Sequence, residues 1–288
     1  MKYLITGANG SAAYYLGQIL ENWYPLSRPE CDLTDFPSVC RGLEYLEPDV
    51  IFHMASDANV RKSFDTARET IHNNVTGTVN LFEACRYAHI KPTIVICSTS
   101  EVYGNPGRHP ITEDFPLDPV NPYAVSKTTQ DLLGAMYERA YSFRVVRTRA
   151  FGYVNPRRRD LSLSHFASQV VAVERGEAEE IRHGNLDSVR TFCDVRDIAR
   201  AYKLSSGLSG VFNIGSERPV SIGDCLEILC SKAKVKVRTK EDPSLLRPTD
   251  VTNQIPDCSK FRKATGWEPE IPLEDSLEWL LTNFRSAS

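Results

Sequence analysis

Tyr123 and Lys127, in the run Asn121-Pro-Tyr-Ala-Val-Ser-Lys127, are the residues whose types and spacing point most directly to chemistry. Pro122 suits the first turn of a helix, where its missing N–H has no partner to lose. A helix starting there puts Tyr123 and Lys127 on one face, four residues apart. An ammonium beside a phenol is expected to lower the phenol's pKa from about 10 towards working pH. Such a tyrosine exchanges a proton with a sugar hydroxyl or carbonyl. An ordinary amphipathic helix with an exposed lysine is the alternative, and only the rest of the chain decides.

A second group of polar residues stands upstream. Thr93-Ile-Val-Ile-Cys97 reads as a buried strand that ends in Ser98-Thr-Ser-Glu-Val-Tyr-Gly104. Polar side chains at a strand's carboxyl end are costly to bury idle, so they are expected to face a ligand. Thr99 can hydrogen-bond a reacting oxygen, and Ser100 and Glu101 can move protons at a neighbouring carbon.

The elements that must position these groups alternate strand and helix. Tyr3-Leu-Ile5, the loop Thr6-Gly-Ala-Asn-Gly-Ser-Ala-Ala13 and the helical pattern Tyr14, Leu16, Ile19, Leu20 make a strand, glycine loop and helix. In that context Gly7 permits a tight turn, Gly10 lets backbone approach a pyrophosphate, and the helix start adds N–H donors. Ala13 replaces the usual third glycine. A second strand, Tyr24 to Leu26, is followed by Arg28, which favours the extra phosphate of NADP over NAD unless it is a solvated loop residue. Asp32 is placed near an adenine, and Asp35 is expected to cap a helix near Pro37.

Val50-Ile-Phe-His-Met-Ala55 reads as a central parallel strand whose tail, Met54-Ala-Ser56, lies at the cofactor edge; His53 is read as a core histidine. A helix over roughly Thr70 to Ala88 carries Asn73 and Asn74, which either order the cofactor loop or cap. The strand Phe143 to Arg149 completes the first half. This order predicts a right-handed, doubly wound parallel α/β sheet over 1–150. Residues 151–288 are expected to form mainly a smaller α/β substrate lobe, with some segments returning to the first.

In that second part, Asn155-Pro-Arg-Arg-Arg159 is a basic loop that is either solvated or touches a substrate diphosphate. The reading continues with a helix Ser164 to Glu174, Asp194 as a helix cap, and Arg190 pointing into a cleft. Further on come a strand Val211 to Gly215, Ser221 capping Ile222 to Cys230, and a short strand Val235 to Val237. Leu246-Arg-Pro-Thr-Asp250 spaces an arginine and an acid for phosphate and ribose. A helix from Ser259 closed by Gly266, and a final amphipathic helix Leu273 to about Phe284, end the chain.

Composition sets the class. The 288 residues carry net charge −3, which gives no reason to expect a nucleic-acid or anionic-membrane partner. The eight cysteines show no metal-type spacing and read as free thiols in a reducing, cytoplasmic setting. Neither a signal peptide nor a membrane span is read from the sequence.

The residues quoted resemble the extended short-chain dehydrogenase/reductases that act on nucleotide sugars. The matching pieces are Thr6-Gly-x-x-Gly10, Asp32-Leu-x-Asp35, His53-Met-Ala55, Asn74-Val-x-Gly-Thr78, Ser98-Thr-Ser-Glu-Val-Tyr-Gly104 and Pro122-Tyr-x-x-x-Lys127. Later segments, including Gly184-Asn-Leu-Asp, Arg190-Thr-Phe-x-Asp-Val-Arg-Asp197 and Gly266-Trp, resemble the narrower group of GDP-mannose 4,6-dehydratases and GDP-4-keto-6-deoxymannose reductases. The resemblance implies a Rossmann fold with catalytic Thr99, Ser100, Glu101, Tyr123 and Lys127. It implies cofactor contacts from Gly7, Asn9, Gly10, Ser11, Ala12, Arg28, Asp32, Leu33, Met54, Ala55, Ser56, Asn74, Ser98, Tyr123, Lys127 and Ala150. Substrate contacts would come from Thr99, Asn155, Arg157, Arg190, Arg247 and Asp250, with no metal, and the enzyme would be a homodimer. Two departures stand out: Phe151-Gly152 where the family carries Phe-Asn, and Asp57 where glutamine is common.

Reduction of carbon 4 of a GDP-4-keto-6-deoxyhexose with NADP(H) is the favoured expectation. A 4,6-dehydratase using Glu101 as base, an epimerase or a decarboxylase are alternatives on the same residues. A non-catalytic dinucleotide sensor would not need Thr99, Tyr123 and Lys127 together.

Overall fold

In a computed structural model that describes residues 1–44, 46–107, 109–246 and 253–286, strand and helix alternate through the first half. The order is β1 (Tyr3–Thr6), α1 (Ser11–Ile19), β2 (Trp23–Leu26), α2 (Phe36–Glu44), β3 (Val50–His53), α3 (Val60–Asp65), α4 (Ala67–Tyr87), β4 (Thr93–Thr99), α5 (Pro122–Tyr141) and β5 (Arg144–Ala150). The second half adds β6 (Tyr153–Val154), α6 (Ser162–Glu174), β7 (Ile181–His183), β8 (Val189–Thr191), β9 (Cys193–Asp194) and α7 (Val195–Ser205). It ends with β10 (Gly210–Ile214), β11 (Pro219–Ser221), α8 (Ile222–Ser231), β12 (Thr239–Glu241), α9 (Ser259–Thr265) and α10 (Leu273–Ser286).

Six strands form one parallel sheet in the order β10-β5-β4-β3-β1-β2. The order reverses between β1 and β3, and the crevice outside the strands' carboxyl ends at such a switch is where ligands bind in open α/β sheets. Each face of the sheet is sealed apolar. Leu16, Ile198 and Phe261 pack on one side with Ile5, Phe52 and Val95, while Val39, Phe82 and Tyr137 pack on the other with Leu4, Ile51 and Ile94. Alternate residues of the same strands therefore serve opposite faces, as parallel strands buried on both sides require. No helix among the described residues is long and apolar enough to cross a membrane.

A separate apolar cluster joins α6, β7, α8 and α10 through Phe166, Val170, Ile181, Leu226, Leu277 and Leu281. By contrast α7, β10 and α9 return to the main sheet, since Ile198, Phe212 and Phe261 pack there.

Local expectations fared unevenly. Asp194 and Ser221 cap α7 and α8, the latter in a reciprocal capping box with Asp224. Gly266 closes α9 in the left-handed conformation at φ 71°. The short strand expected over Val235 to Val237 is not formed: Val235 is exposed, and the strand is Thr239–Glu241, paired in parallel with Ile181–His183. A β-branched run alone does not make a strand when no partner edge is in register. Asn73 and Asn74 lie inside α4 and do not cap it.

Candidate active site

The glycine loop meets the loop after β3 in backbone contact. Gly7 has φ 64°, and a Cβ there would stand 2.6 Å from the Ala55 Cα, so only glycine fits. Its N–H donates to the Leu26 carbonyl at 2.9 Å, and the Gly10 N–H donates to the Gly7 carbonyl at 2.8 Å. Ser11 and Ala12 open α1, which has no side-chain cap and no acid in its first turn, leaving its N–H groups and dipole open to an anion. Ala13 is buried against the sheet, so the missing third glycine does not loosen the packing.

At the edge of this loop the Asn9 amide donates to the Arg28 carbonyl at 3.2 Å, and the Arg28 guanidinium donates to Asn73 Oδ1 at 3.1 Å. Asp32 accepts from the Thr34 N–H and hydroxyl at 2.9 and 2.8 Å. The Thr34 N–H is the main reason its carboxyl sits below the usual range, with help from Arg28 and His72. Leu33 packs on Gly77, and its carbonyl accepts from Asn80 at 2.8 Å.

His53 is buried between Thr6 and Thr78, with Nδ1 2.9 Å from Thr6 Oγ1 and Nε2 2.8 Å from Thr78 Oγ1. Burial, and then the charge of Lys127, lower its pKa to about 3, so it is a neutral core residue. Asn74 spends its amide on holding a loop: Oδ1 accepts from the Asp57 N–H at 2.6 Å, and Nδ2 donates to the Asp57 carbonyl at 3.0 Å and Ser126 Oγ at 2.8 Å. Met54, Ala55 and Ser56 are thereby fixed beside the glycine loop.

Tyr123 and Lys127 stand in the first turns of α5, where Asn121 caps the helix and Pro122 enters it. Lys127 is 2% exposed, and burial lowers its pKa to about 8 against the raising influence of Cys97 and Asp131. The expectation for Tyr123 needs correction. Its pKa is raised, foremost by burial and then by Tyr153; the leading cation that opposes this is Arg158, helped by the neighbouring Thr99 hydroxyl. The influence of Arg158 and the Thr99 hydroxyl is smaller than the cost of burying the phenolate, and the phenol stays protonated.

The β4 end brings the remaining candidates to the same place. Thr99 pairs in register with Ala150 across β4 and β5, and it caps the short turn Ser100–Tyr103. The Ser98 hydroxyl is buried without a hydrogen-bond partner among the described residues. Glu101 accepts from Asn121 Nδ2 at 3.1 Å. Ser100 donates its hydroxyl to Gln254 Oε1 at 2.9 Å, and Gln254 Nε2 donates back to the Ser100 and Gly104 carbonyls at 3.2 and 3.3 Å. Below the turn, Asp131 is buried against Arg147 and Arg149; Arg149 donates to the Tyr103 hydroxyl at 2.9 Å, and that hydroxyl donates to Asn213 Oδ1 at 2.7 Å.

The basic loop divides its labour. Asn155 is buried, with Oδ1 accepting from the Arg157 N–H at 3.0 Å and Nδ2 without a partner among the described residues. Arg157 lies over the Tyr14 ring on α1, 4.0 Å from its centroid. Arg158 is paired with Asp160 at 2.7 and 2.8 Å and donates to the Ala58 carbonyl at 3.2 Å, tying this loop to the one after β3. Arg190, on β8, donates to the Val189 carbonyl at 3.1 Å. Arg247 and Asp250 lie outside the described residues. A Cβ at Gly152 would meet the Thr191 carbonyl at 2.6 Å and the Phe192 ring at 3.1 Å, so the place of the family's asparagine is closed by backbone.

Sequence reasoning missed Asn121, Arg158 and Gln254 as functional neighbours. Asn121 carried a signal, standing as a cap directly before Pro122. Arg158 was one of three arginines in a run, with nothing local to single it out. Gln254 had no local signal at all, being 154 residues from Ser100.

The model of the family described as GDP-mannose 4,6 dehydratase matches residues 17–279. This chain belongs to that family. Among curated relatives, GDP-6-deoxy-D-mannose reductase of Pseudomonas aeruginosa is 30% identical over 246 residues, covering 83% of this chain and 81% of that protein. The solved structure of RMD from Pseudomonas aeruginosa complexed with NADPH superposes with a TM-score of 0.91 at 27% identity and covers both chains in full. Thermus thermophilus UDP-glucose 4-epimerase in complex with NAD also covers both chains in full, with a TM-score of 0.89 at 23% identity, a likeness of fold. Membership makes this chain an NAD(P)-dependent nucleotide-sugar enzyme of the GDP-mannose 4,6-dehydratase family, in agreement with the sequence motifs.

Proposed function

We propose that this family member reduces carbon 4 of a GDP-4-keto-6-deoxyhexose, with NADPH as the hydride donor. The observation that carries the choice over dehydration is the Ser100 hydroxyl, whose proton is committed to Gln254 at 2.9 Å. A dehydratase needs an acid beside Glu101 to expel water, whereas a reductase needs only Thr99, Tyr123, Lys127 and the cofactor. The names of the P. aeruginosa relative and of the NADPH-bound structure support the same reading.

The fit to a dinucleotide rests on Gly7 and Gly10, the uncapped start of α1 and the Ser98 hydroxyl, buried without a partner among the described residues. When bound, the nicotinamide supplies the hydride. Lys127 holds the ribose as a cation, and Thr99 orients the sugar carbonyl. Tyr123, kept protonated by burial, gives its proton to the carbonyl oxygen as carbon 4 becomes an alcohol. Arg28, held by Asn73 beside the glycine loop, takes the additional phosphate of NADP. Asn155, Arg157 and Arg190, with Arg247 and Asp250, serve the nucleotide diphosphate from the lobe over 151–288. The protein acts as a homodimer through α4 and α5, where Ile71, Val125 and Leu132 are exposed.

The alternative on the same residues is dehydration of GDP-mannose with Glu101 as base, favoured by the Asn121 contact that holds that carboxylate in place. Two assays separate them. NADPH oxidation on addition of GDP-4-keto-6-deoxymannose supports the reductase, and loss of water from GDP-mannose, followed by mass, overturns it. Tyr123→Phe is expected to lower turnover about 10²- to 10⁴-fold while NADPH still binds.

A further inference from the structure

The segment 253–257 runs between β8 and the chain around Ile111. Asn253 bridges Val189 in parallel, and the Gln254 N–H donates to the Val189 carbonyl at 3.1 Å, so the segment runs beside β8, the strand that carries Arg190. Two residues on, the Ile255 carbonyl accepts from the Ile111 N–H at 2.8 Å, and the Asp257 N–H returns to the Ile111 carbonyl at 2.8 Å. The backbone of Gln254 is thus clamped on both sides.

From that clamp its side chain turns inward, 3% exposed, and makes all three of its hydrogen bonds to one turn. It accepts from the Ser100 hydroxyl and donates to the Ser100 and Gly104 carbonyls. The Gly104 carbonyl lies outside the 3-10 turn Ser100–Tyr103 and has no backbone donor among the described residues, and a buried carbonyl needs one; the Ser100 carbonyl opens that turn and gains a further donor. The opposite side of the turn is also closed: Gly104 has φ 61°, a Cβ there would stand 2.0 Å from the Asp118 carbonyl, and the Asp118 N–H donates to the Val102 carbonyl at 3.0 Å. The Gln254 amide is thus a fastening of the turn from a distant segment, beside the ties of Asn121 to Glu101 and of the Tyr103 hydroxyl to Asn213.

We propose that Gln254 is a positioning residue that locks the turn bearing Thr99, Ser100 and Glu101 in register with β8, so that the reacting groups and the strand carrying Arg190 move as one body. The chemical meaning of the turn rests on the function proposed above; the tie itself does not. Alignment of this kind governs rate, because a displacement of about 1 Å at a reacting centre costs about 10²-fold.

Gln254→Met keeps the length and bulk of the side chain and removes all three hydrogen bonds. Its amide hydrogen exchange over residues 100–104 is expected to quicken about tenfold or more, with exchange in β1 and β3 and the Kd for NADPH unchanged. Its kcat is expected to fall about tenfold or more, with KM within about threefold, on whichever of GDP-4-keto-6-deoxymannose and GDP-mannose the unaltered protein turns over. Gln254→Glu supplies a control that a merely structural role would not move. Its protonated carboxyl can accept from Ser100 and donate to a carbonyl, so activity relative to the parent should recover as pH falls, whereas Gln254→Met should show no recovery. Unchanged exchange in Gln254→Met, or faster exchange with parental kcat, overturns the proposal. Absence of turnover of both sugars by the parent overturns the proposed function instead, and the exchange experiment then decides the tie on its own.

Discussion

Asn121 joins α5 to the turn after β4 with one amide: its Oδ1 caps α5 at the Ala124 N–H, 2.8 Å away, and its Nδ2 donates to Glu101 at 3.1 Å. The helix that presents Tyr123 and the turn that presents Glu101 are thereby set by a single side chain. Replacing it by alanine is expected to cost about 1 kcal/mol in stability through the lost cap. Asn121→Asp keeps the cap but sets a second carboxylate against Glu101. Its melting temperature should stay near that of the parent, and reduction by NADPH, which has no need of Glu101, should stay within about threefold of the parental rate. A loss of about tenfold or more in the aspartate variant would instead favour the dehydration reading, in which Glu101 is the base.

The buried ammonium sets the upper pH limit. Lys127 has its pKa lowered to about 8, so it loses its charge as pH rises through that value, while the phenol of Tyr123 is pushed the other way and remains protonated. Both kcat/KM and NADPH affinity are expected to fall above about pH 8. Lys127→Arg keeps a charge throughout, and the alkaline limb should vanish in a pH series of NADPH fluorescence titrations, even where the altered geometry lowers the absolute rate.

His53 predicts the acid side of stability. Its pKa in the folded chain is lowered to about 3, below the ordinary histidine value of about 6.5. Between those values the unfolded chain binds a proton that the folded chain does not, so stability is fully present above about pH 6.5 and declines as pH falls towards 3. Urea midpoints measured from pH 7 to pH 4 should show this decline. His53→Gln, which cannot be protonated, should flatten it, though it starts from a lower midpoint.

Gly152 predicts a limit on restoring the family pattern. Because a Cβ there would stand 2.6 Å from the Thr191 carbonyl, Gly152→Asn must displace β8 or the Phe192 ring. Overpacking of this kind typically costs about 1–3 kcal/mol. A denaturant midpoint equal to that of the parent would show that the backbone yields without strain.

What could be read in advance follows from how local each signal is. The glycine loop, the strand ends at Met54 and Thr99 and the pair on α5 were legible because a strand, a turn or a helix start announces itself within a few residues. Caps such as Asp194 and Ser221 are local for the same reason. The strand expected at Val235 failed because a strand exists only by virtue of a partner, and Ile181–His183 pairs with Thr239–Glu241. The ionisation of Tyr123 was misjudged because desolvation depends on everything packed around the phenol, which no spacing records. Gln254 and Arg158 act across 154 and 100 residues, on Ser100 and Ala58, and those contacts exist only once the sheet has brought the loops together.

The long reach of Gln254 also bears on the order in which the protein is made. The parallel sheet up to β5 is complete in sequence by Ala150, and its strands and helices can associate as they emerge from the ribosome. The turn Ser100–Tyr103 has a fastening far downstream, at Gln254, and contacts of such sequence separation close late because the chain entropy must be overcome first. A nascent chain thus carries its glycine loop and Tyr123 well before Gln254 is made, and the tie on the Ser100 turn forms only after that.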